Sequence, residues 1–486
     1  MRIHASPDKS IRQAGAKIRG NNLVKTGDTQ DRSAWHLPPK SVVSVVIPGK
    51  KVPIIVHWSF LLFVSTLPFE AADLSFASGS FSLSKISGLL FFMCYFFFYN
   101  PFLSHLPHRR SFPQAPTALW CFLVYVIIYI LNGSFVSVEF IPKYIGRFIT
   151  LVQLIIFFWI GLALLKEEKI MKGTLIAYSV SSAILALCMI LRLPGFSESM
   201  TTNNAERYTA LGFGSNDLAN LLALAAVMLI GSYRYVSLRP LLIRICLMIM
   251  ILPLLVGIVK TGSRTGIAVF LIGLSIYLLP LWKGKSRFAI IIFAIFYIGT
   301  MIYMVLYSPD ASLRWQRTIE EGDLSGRSKI YFIAADMIAE RPIFGWHAEF
   351  GRELGRRLGY RQSSRDAHSL YLHLFLEVGA IGAIPFLIGL WLCARAAWKA
   401  RLGGLGLMPL ACLFTVLAAN MTNTYLVRKP LWLVLALTFA AASIAAKEQQ
   451  KPRGILIVRK PLRSGGEPPN SDGQLFLFGS TSLRSL

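Results

Sequence analysis

Acidic residues are scarce in this chain: its 486 residues include 24 Asp and Glu against 50 Lys and Arg, and charged residues of both signs make up only 15%. With 54% hydrophobic residues and a mean hydropathy of +0.55, that composition excludes an ordinary soluble globular protein. Cysteine is also sparse. The six, at 94, 121, 188, 246, 393 and 412, fall in or at the edges of apolar runs, without CxxC or Cys/His ligand spacing. That excludes a disulfide framework and a metal site built on sulfur. No DxD and no acids at metal-site spacing occur, and no apolar stretch near the start reads as a cleavable signal peptide.

What is present is apolar sequence in long runs, separated by short basic clusters. The formal charge of +26 would point to nucleic acid if the basic residues formed a stripe on a soluble domain. Lying between apolar runs, they point to membrane orientation instead, and no nucleic-acid partner is expected. A helix needs about 20 apolar residues to cross a bilayer. On that criterion spans are expected near 52–68, 82–103, 116–132, 148–165, 173–191, 215–232, 240–259, 265–281, 288–307, 371–393, 405–425 and 430–446. The expected fold is therefore all-α: a polytopic membrane protein with about twelve transmembrane helices and one large periplasmic loop containing short helices.

Lys and Arg are retained on the cytoplasmic side, so the connections orient the chain. The even connections carry Arg109 and Arg110; Lys166, Lys169 and Lys172; Arg234 and Arg239; Lys283, Lys285 and Arg287; Arg395, Lys399 and Arg401. The odd connections are poorer in charge, and both tails are basic. This gives a basic cytoplasmic arm at 1–51, with ten Lys/Arg and three Asp, helices one to nine over 52–307, a periplasmic loop at 308–370, the last three helices over 371–446, and a cytoplasmic tail at 447–486. Arg207, Arg264 and the long insert then share the outer side. The insert holds ten Lys/Arg and nine Asp/Glu, which the orientation rule tolerates in a long loop. Within it, Ile330, Ile333, Ala334, Met337 and Ile338 repeat at helical spacing, which predicts a helix over about 325–339 stopped by Arg341-Pro342.

Several polar residues among these runs need a reason. Arg264, in VKTGSRTGIAVF, is either a snorkelling anchor or an anion clamp, helped by Gly262, Gly266 and the start of a helix. Arg327, in DLSGRSKIY, opposes the helix dipole at a helix start; either a ligand or a salt bridge to Asp323 or Asp336 would explain it. His368 stands where the insert meets the tenth span, as a surface histidine or as a catalyst at the meeting of donor and acceptor. Arg207 precedes the sixth span, and Asp217 in its first turns is a structural partner for Arg264 or a site residue. Glu70 and Asp73 in the first outer loop are a competing acid/base pair or simply charges of a solvated loop.

His368-Ser369, nine residues, then Gly379-Ala380-Ile381-Gly382 resembles the H-(N/S/Q)-x9-G-x-x-G pattern of O-antigen ligases. SGRSKIYFIAADMIAERPIFG, GSRTG and RYTALGFGSNDLA resemble further segments of that family, in the same order, over about residues 200–390. Two departures stand out: Gly345 is followed by Trp346 and His347 rather than a second Gly, and His368 by Ser rather than Asn. The resemblance implies a membrane glycosyltransferase, without a nucleotide sugar or other cofactor, in the bacterial inner membrane with both termini cytoplasmic. It would take a glycan from undecaprenyl diphosphate at the periplasmic face and transfer it to a lipid A-core or other glycan acceptor among membrane lipids. It implies Arg264 and Arg327 as diphosphate-binding residues, His368 as the catalytic residue, and Arg207 as an additional site residue. Two guanidiniums could stabilise the departing diphosphate where other enzymes use a metal. A polymerase of the same superfamily, or a ligase to protein hydroxyls, is the nearest alternative; a non-enzymatic glycolipid flippase is the remote one.

Overall fold

The computed structural model describes residues 52–71, 82–99, 114–202, 205–235, 241–279, 287–308, 326–360 and 364–450, with a few single positions between 309 and 325. The basic arm at 1–51, the tail from 451, Asp73, Asp323 and the connections holding Arg109, Arg110, Arg239, Lys283 and Lys285 lie outside the described residues.

The helices in chain order are α1 (Ile54–Thr66), α2 (Leu83–Phe98), α3 (Gln114–Asn132), α4 (Ile141–Leu164), α5 (Glu168–Ile190), α6 (Ser215–Tyr235), α7 (Leu241–Ile249), α8 (Ile251–Lys260), α9 (Arg264–Leu278), α10 (Arg287–Tyr307), α11 (Arg327–Glu340), α12 (Phe350–Arg357), α13 (Leu370–Ala400), α14 (Met408–Ala419) and α15 (Lys429–Gln450). Each expected span falls on one of these, except that 240–259 is divided between α7 and α8. Pro253 explains the break: it lacks the N–H that would bond the Ile249 carbonyl, and its ring crowds that oxygen. Six of the helices, α3, α4, α5, α6, α13 and α15, are long and apolar enough to cross a membrane; six shorter apolar helices stand at the other positions. The expectation of an all-α chain needs one amendment. Strands β1 (Glu198–Thr202) and β2 (Ala205–Thr209) pair antiparallel, with Met200 opposite Arg207, in the connection before α6.

Helices α6 and α15 are the most enclosed, each with 83% of its apolar window buried. Lipid tails are as apolar as leucine, so helices associate in a membrane by close packing rather than by escape from solvent. The sequence supplies small residues for this: Ala436, Ala440, Ala441 and Ala442 on α15 are buried. Beside them Trp432 is fully buried against Phe122 of α3, Phe158 of α4 and Phe386 of α13, at centroid separations of 5.3, 6.2 and 6.3 Å, and its ring N–H donates to the Leu426 carbonyl. One side chain thus joins four helices, and its polar atom is satisfied.

Two close backbone approaches place the functional end of the bundle. At Gly266 on α9 a Cβ would lie 2.4 Å from the Ala219 Cβ, so glycine lets the start of α9 cross the start of α6. At Gly379 α13 is broken, with φ 60° and ψ −169°, a conformation confined essentially to glycine. The insert fills the break. Ala380 N–H donates to the Pro342 carbonyl at 2.8 Å, Ile381 N–H to Ile343 at 3.3 Å, and Trp346 N–H to Leu376 at 2.6 Å. Asn132 of α3 closes the joint by donating to the carbonyls of Phe344 and Glu377. The Pro-x-x-Gly of the insert and the glycine after His368 are therefore the two halves of one backbone joint.

Behind that joint the insert has a small core of its own. Ala334 and Met337 of α11, Phe350 and Leu354 of α12, and Ala367 pack on Leu376 of α13. The helix expected over 325–339 is α11, and it ends at Arg341 as the Arg-Pro signal requires.

Candidate active site

The turn before α9 is built from its own polar side chains. Ser263 caps the helix by accepting from Gly266 N–H at 3.2 Å, and its hydroxyl donates to Asn216 Oδ1 at 2.8 Å. Gly262 takes φ +60°. Arg207, on β2, donates from Nε to the Thr261 carbonyl at 3.2 Å and from Nη2 to Asn216 Oδ1 at 3.1 Å. Arg207 thus braces the turn from the β1–β2 hairpin. Arg264 is the first residue of α9 and Thr265 the second.

Arg327 begins α11, directly after left-handed Gly326, and its Nη1 points at Thr265 Oγ1, 3.5 Å away and 62 positions earlier in the chain. Burial lowers the Arg327 pKa, and the Arg264 charge lowers it further against the opposing influence of Tyr331. Two guanidiniums from separate segments are therefore held within repulsive reach of each other at the N-terminus of α9. A helix start already favours negative charge. An anion bridging the pair would relieve the repulsion and gain bidentate contacts.

His368 lies within electrostatic reach of Arg327. It adopts φ +50°, uncommon for a residue with a side chain, and the surrounding backbone imposes it. Ala367 and Ser369 on either side are buried, Leu370 N–H donates to the Asn420 carbonyl at 2.8 Å, and the His368 carbonyl accepts from Tyr331 Oη at 3.3 Å. The imidazole feels Asp366, Asp217, Arg327 and Arg365. Burial prevails and lowers its pKa, so the ring is neutral at neutral pH and able to accept a proton.

Asp217 joins this group, with Arg428 and not Arg264 as its ion partner: Arg428 Nη2 lies 3.7 Å from Oδ2, and Asn423 Nδ2 donates to Oδ1 at 2.7 Å. A small cavity adjoins it, walled by Phe213, Leu221, Val416 and Tyr425 and lined also by Arg428 and Glu70. Glu70 is paired with Lys429 at 2.5 Å, which ties the end of α1 to α15 and makes Glu70 a structural anchor.

Sequence reasoning passed over Tyr331, one turn beyond Arg327, whose hydroxyl also donates to the Met421 carbonyl at 3.0 Å. It passed over Asp366, and a buried polar group behind it on α13, His373 and Glu377. These two sit four residues apart inside an apolar run, a signal that marks function in membrane helices and could have found them. Among the described residues no group of three His, Cys, Asp or Glu side chains is placed to hold a metal ion.

Fold and site together define a multi-pass helical membrane protein whose long polar insert and helix ends converge on a cationic cluster beside a histidine. Residues 248–387 match the family described as O-Antigen ligase, so that part of the chain is similar to O-antigen ligases. The match takes in Arg264, Arg327 and His368 and stops short of Arg207 and Asp217. No curated protein matches the chain.

Proposed function

We propose that the protein is a metal-independent glycosyltransferase of the O-antigen ligase type, moving a glycan from undecaprenyl diphosphate to a lipid A-core hydroxyl at the periplasmic face of the bacterial inner membrane. The observation that carries this reading is the convergence of Arg264 and Arg327, from separate segments, on the start of α9 beside His368. The two guanidiniums bind the diphosphate and stabilise the charge that grows on it as the anomeric carbon–oxygen bond breaks. The bonding pair leaves with the lipid diphosphate. His368 takes the proton of the acceptor hydroxyl as that oxygen attacks from the opposite face, which inverts the anomeric carbon, and passes the proton to solvent. Arg207 and Asp217 are positioning residues in this scheme, through the α9 turn and through the charge beside His368. A polymerase, which would use a second lipid-linked repeat as acceptor, or a ligase to protein hydroxyls shares the same donor chemistry.

Purified protein given undecaprenyl-diphosphate glycan and defined acceptors tests the reading. Single addition to lipid A-core supports ligation, and a ladder formed without lipid A-core identifies a polymerase. Arg264→Ala, Arg327→Ala and His368→Ala are each expected to lose transfer; full transfer by all three would overturn the site assignment.

A further inference from the structure

A line of charged and polar side chains runs from α4 to the insert and ends beside His368. Arg147, on α4, forms an ion pair with Glu377 at 3.0 Å and a hydrogen bond with Nε2 of His373. Glu377 is 1% exposed and also accepts from Tyr125 Oη at 2.9 Å. Nδ1 of His373 faces Oδ1 of Asp366 at 3.2 Å, and the Thr424 hydroxyl donates to the same oxygen at 3.3 Å. Phe350 of the insert packs edge-on against the His373 ring, with centroids 4.7 Å apart.

Donor chemistry fixes the proton in this line. An ionised carboxylate only accepts, so Nδ1 of His373 carries a proton and gives it to Asp366, while Nε2 lies between the Arg147 guanidinium and Oε2 of Glu377, 3.5 Å away. Both hydrogen bonds to Asp366 fall on Oδ1. Among the described residues none falls on Oδ2. A histidine held between an ion pair and a carboxylate, with that carboxylate two residues from a second histidine, is an arrangement for aiming charge rather than for stabilising a fold, since burying an ion pair is at best a weak source of stability.

We propose that Asp366 is the anionic partner that stabilises His368 when it receives the acceptor's proton, and that His373, fixed by Arg147 and Glu377, is the positioning residue that aims Asp366. The inference rests on the glycosyl-transfer reading above and assigns the residues that support its base. The charged groups acting on the His368 imidazole are Asp366 and Arg365 from its own segment, Arg327 from α11 and Asp217 from α6, while Tyr331 of α11 donates to the His368 backbone carbonyl. Asp366 is held ionised although burial acts to raise it: the hydrogen bond and charge of His373, the charge of His368 and the Thr424 hydroxyl outweigh burial and bring it to about 2.

The test has two readouts. In steady-state transfer, Asp366→Asn is expected to lower kcat about tenfold to a hundredfold with KM little changed, part of what general base catalysis contributes. Its acidic limb moves to lower pH, because an imidazolium without its anion loses its proton more readily. His373→Ala should reproduce both effects. His373→Gln should stay close to the parent protein, since its side-chain N–H can still donate to Asp366. Thr424→Val, which removes the other bond to Oδ1, gives a smaller change of the same sign and serves if His373→Ala does not fold. The second readout needs no turnover: the His368 ring, labelled with nitrogen-15 and assigned by the resonance lost in His368→Ala, should titrate at lower pH in Asp366→Asn than in the parent. An unmoved titration, or equal loss in His373→Gln and His373→Ala, overturns the proposal. Absence of transfer by the parent protein would refute the glycosyl-transfer reading while leaving the titration to decide this one.

Discussion

Replacing Gly379 by alanine should separate the insert from α13. The new Cβ would lie 2.1 Å from the Ile343 carbonyl oxygen, 2.4 Å from its carbon and 2.6 Å from Gly345 N. Carbon and oxygen do not approach closer than about 3.3 Å without strain, so the insert must retreat by roughly 1 Å. The neighbours offer no slack: a Cβ on Gly345 would in turn meet Gly379 N and the Leu376 carbonyl at 2.7 Å. Retreat strains the hydrogen bonds from Ala380 to Pro342 and from Trp346 to Leu376, at a cost of about 1 kcal/mol each. The backbone at φ 60° and ψ −169° adds about 1–3 kcal/mol once a side chain is present. The sum is roughly 3–5 kcal/mol, a large share of the stability of most domains. Thermal unfolding in detergent should show a markedly lower midpoint, and amides of α11 and α12 should exchange faster while those of α15 keep their protection. Gly299→Ala is the control, because a Cβ there meets nothing within 4 Å and helix propensity favours it. A Gly379→Ala protein that melts with the parent and protects the insert equally would refute the joint.

Further outcomes follow from the same geometry. Arg327→Lys should reduce transfer about 10²- to 10³-fold despite retaining charge, because an ammonium cannot give the bidentate contact; near-normal rates would argue against diphosphate binding there. Arg207→Ala removes bonds to the Thr261 carbonyl and Asn216 and should destabilise the α9 turn by roughly 1–3 kcal/mol, measured as weaker donor binding with a smaller change in kcat. Transfer should persist after chelation of divalent cations, and its loss would reject the metal-independent scheme. The hydrogen bonds of Arg356 and Arg357 hold the Glu353 carboxyl at about 2, against the burial that would raise it. A depressed carboxyl contributes stability above its unfolded pKa of about 4.3 and loses it as pH falls to about 2, so protection of α12 against hydrogen exchange should decline across that window in the parent and not in Glu353→Gln.

How far the site was legible depends on the kind of signal each residue left. Arg327 stood out because a cation at a helix start conflicts with local electrostatics, and Arg264 because an arginine between two apolar runs needs an interface or an anion, signals visible without any neighbour. Gly345 and Gly379 carried spacing but no reason; that the two glycines meet is a fact of docking between segments 34 residues apart. Arg207 read as a site residue through the resemblance, and the structure adds that its hydrogen bonds brace the α9 turn. The hairpin that carries it was missed because ESMTT and AERYT are short and polar, with no alternation strong enough to mark strands. Glu70 read as half of an acid/base pair until its partner, Lys429, appeared 359 positions away.

The sequence by itself determined the helical membrane class, the positions of the apolar segments and the long polar insert between two of them, because hydrophobicity and its run length are local properties that the bilayer selects directly. Tertiary structure alone decided which charges meet. Arg327 beside Arg264, Asp217 with Arg428, and Asp366 backed by His373 are set by helix crossings at Gly266 and by the backbone joint at Gly379. A guanidinium or carboxylate can satisfy its charge with many partners, so its role is fixed only when packing selects one.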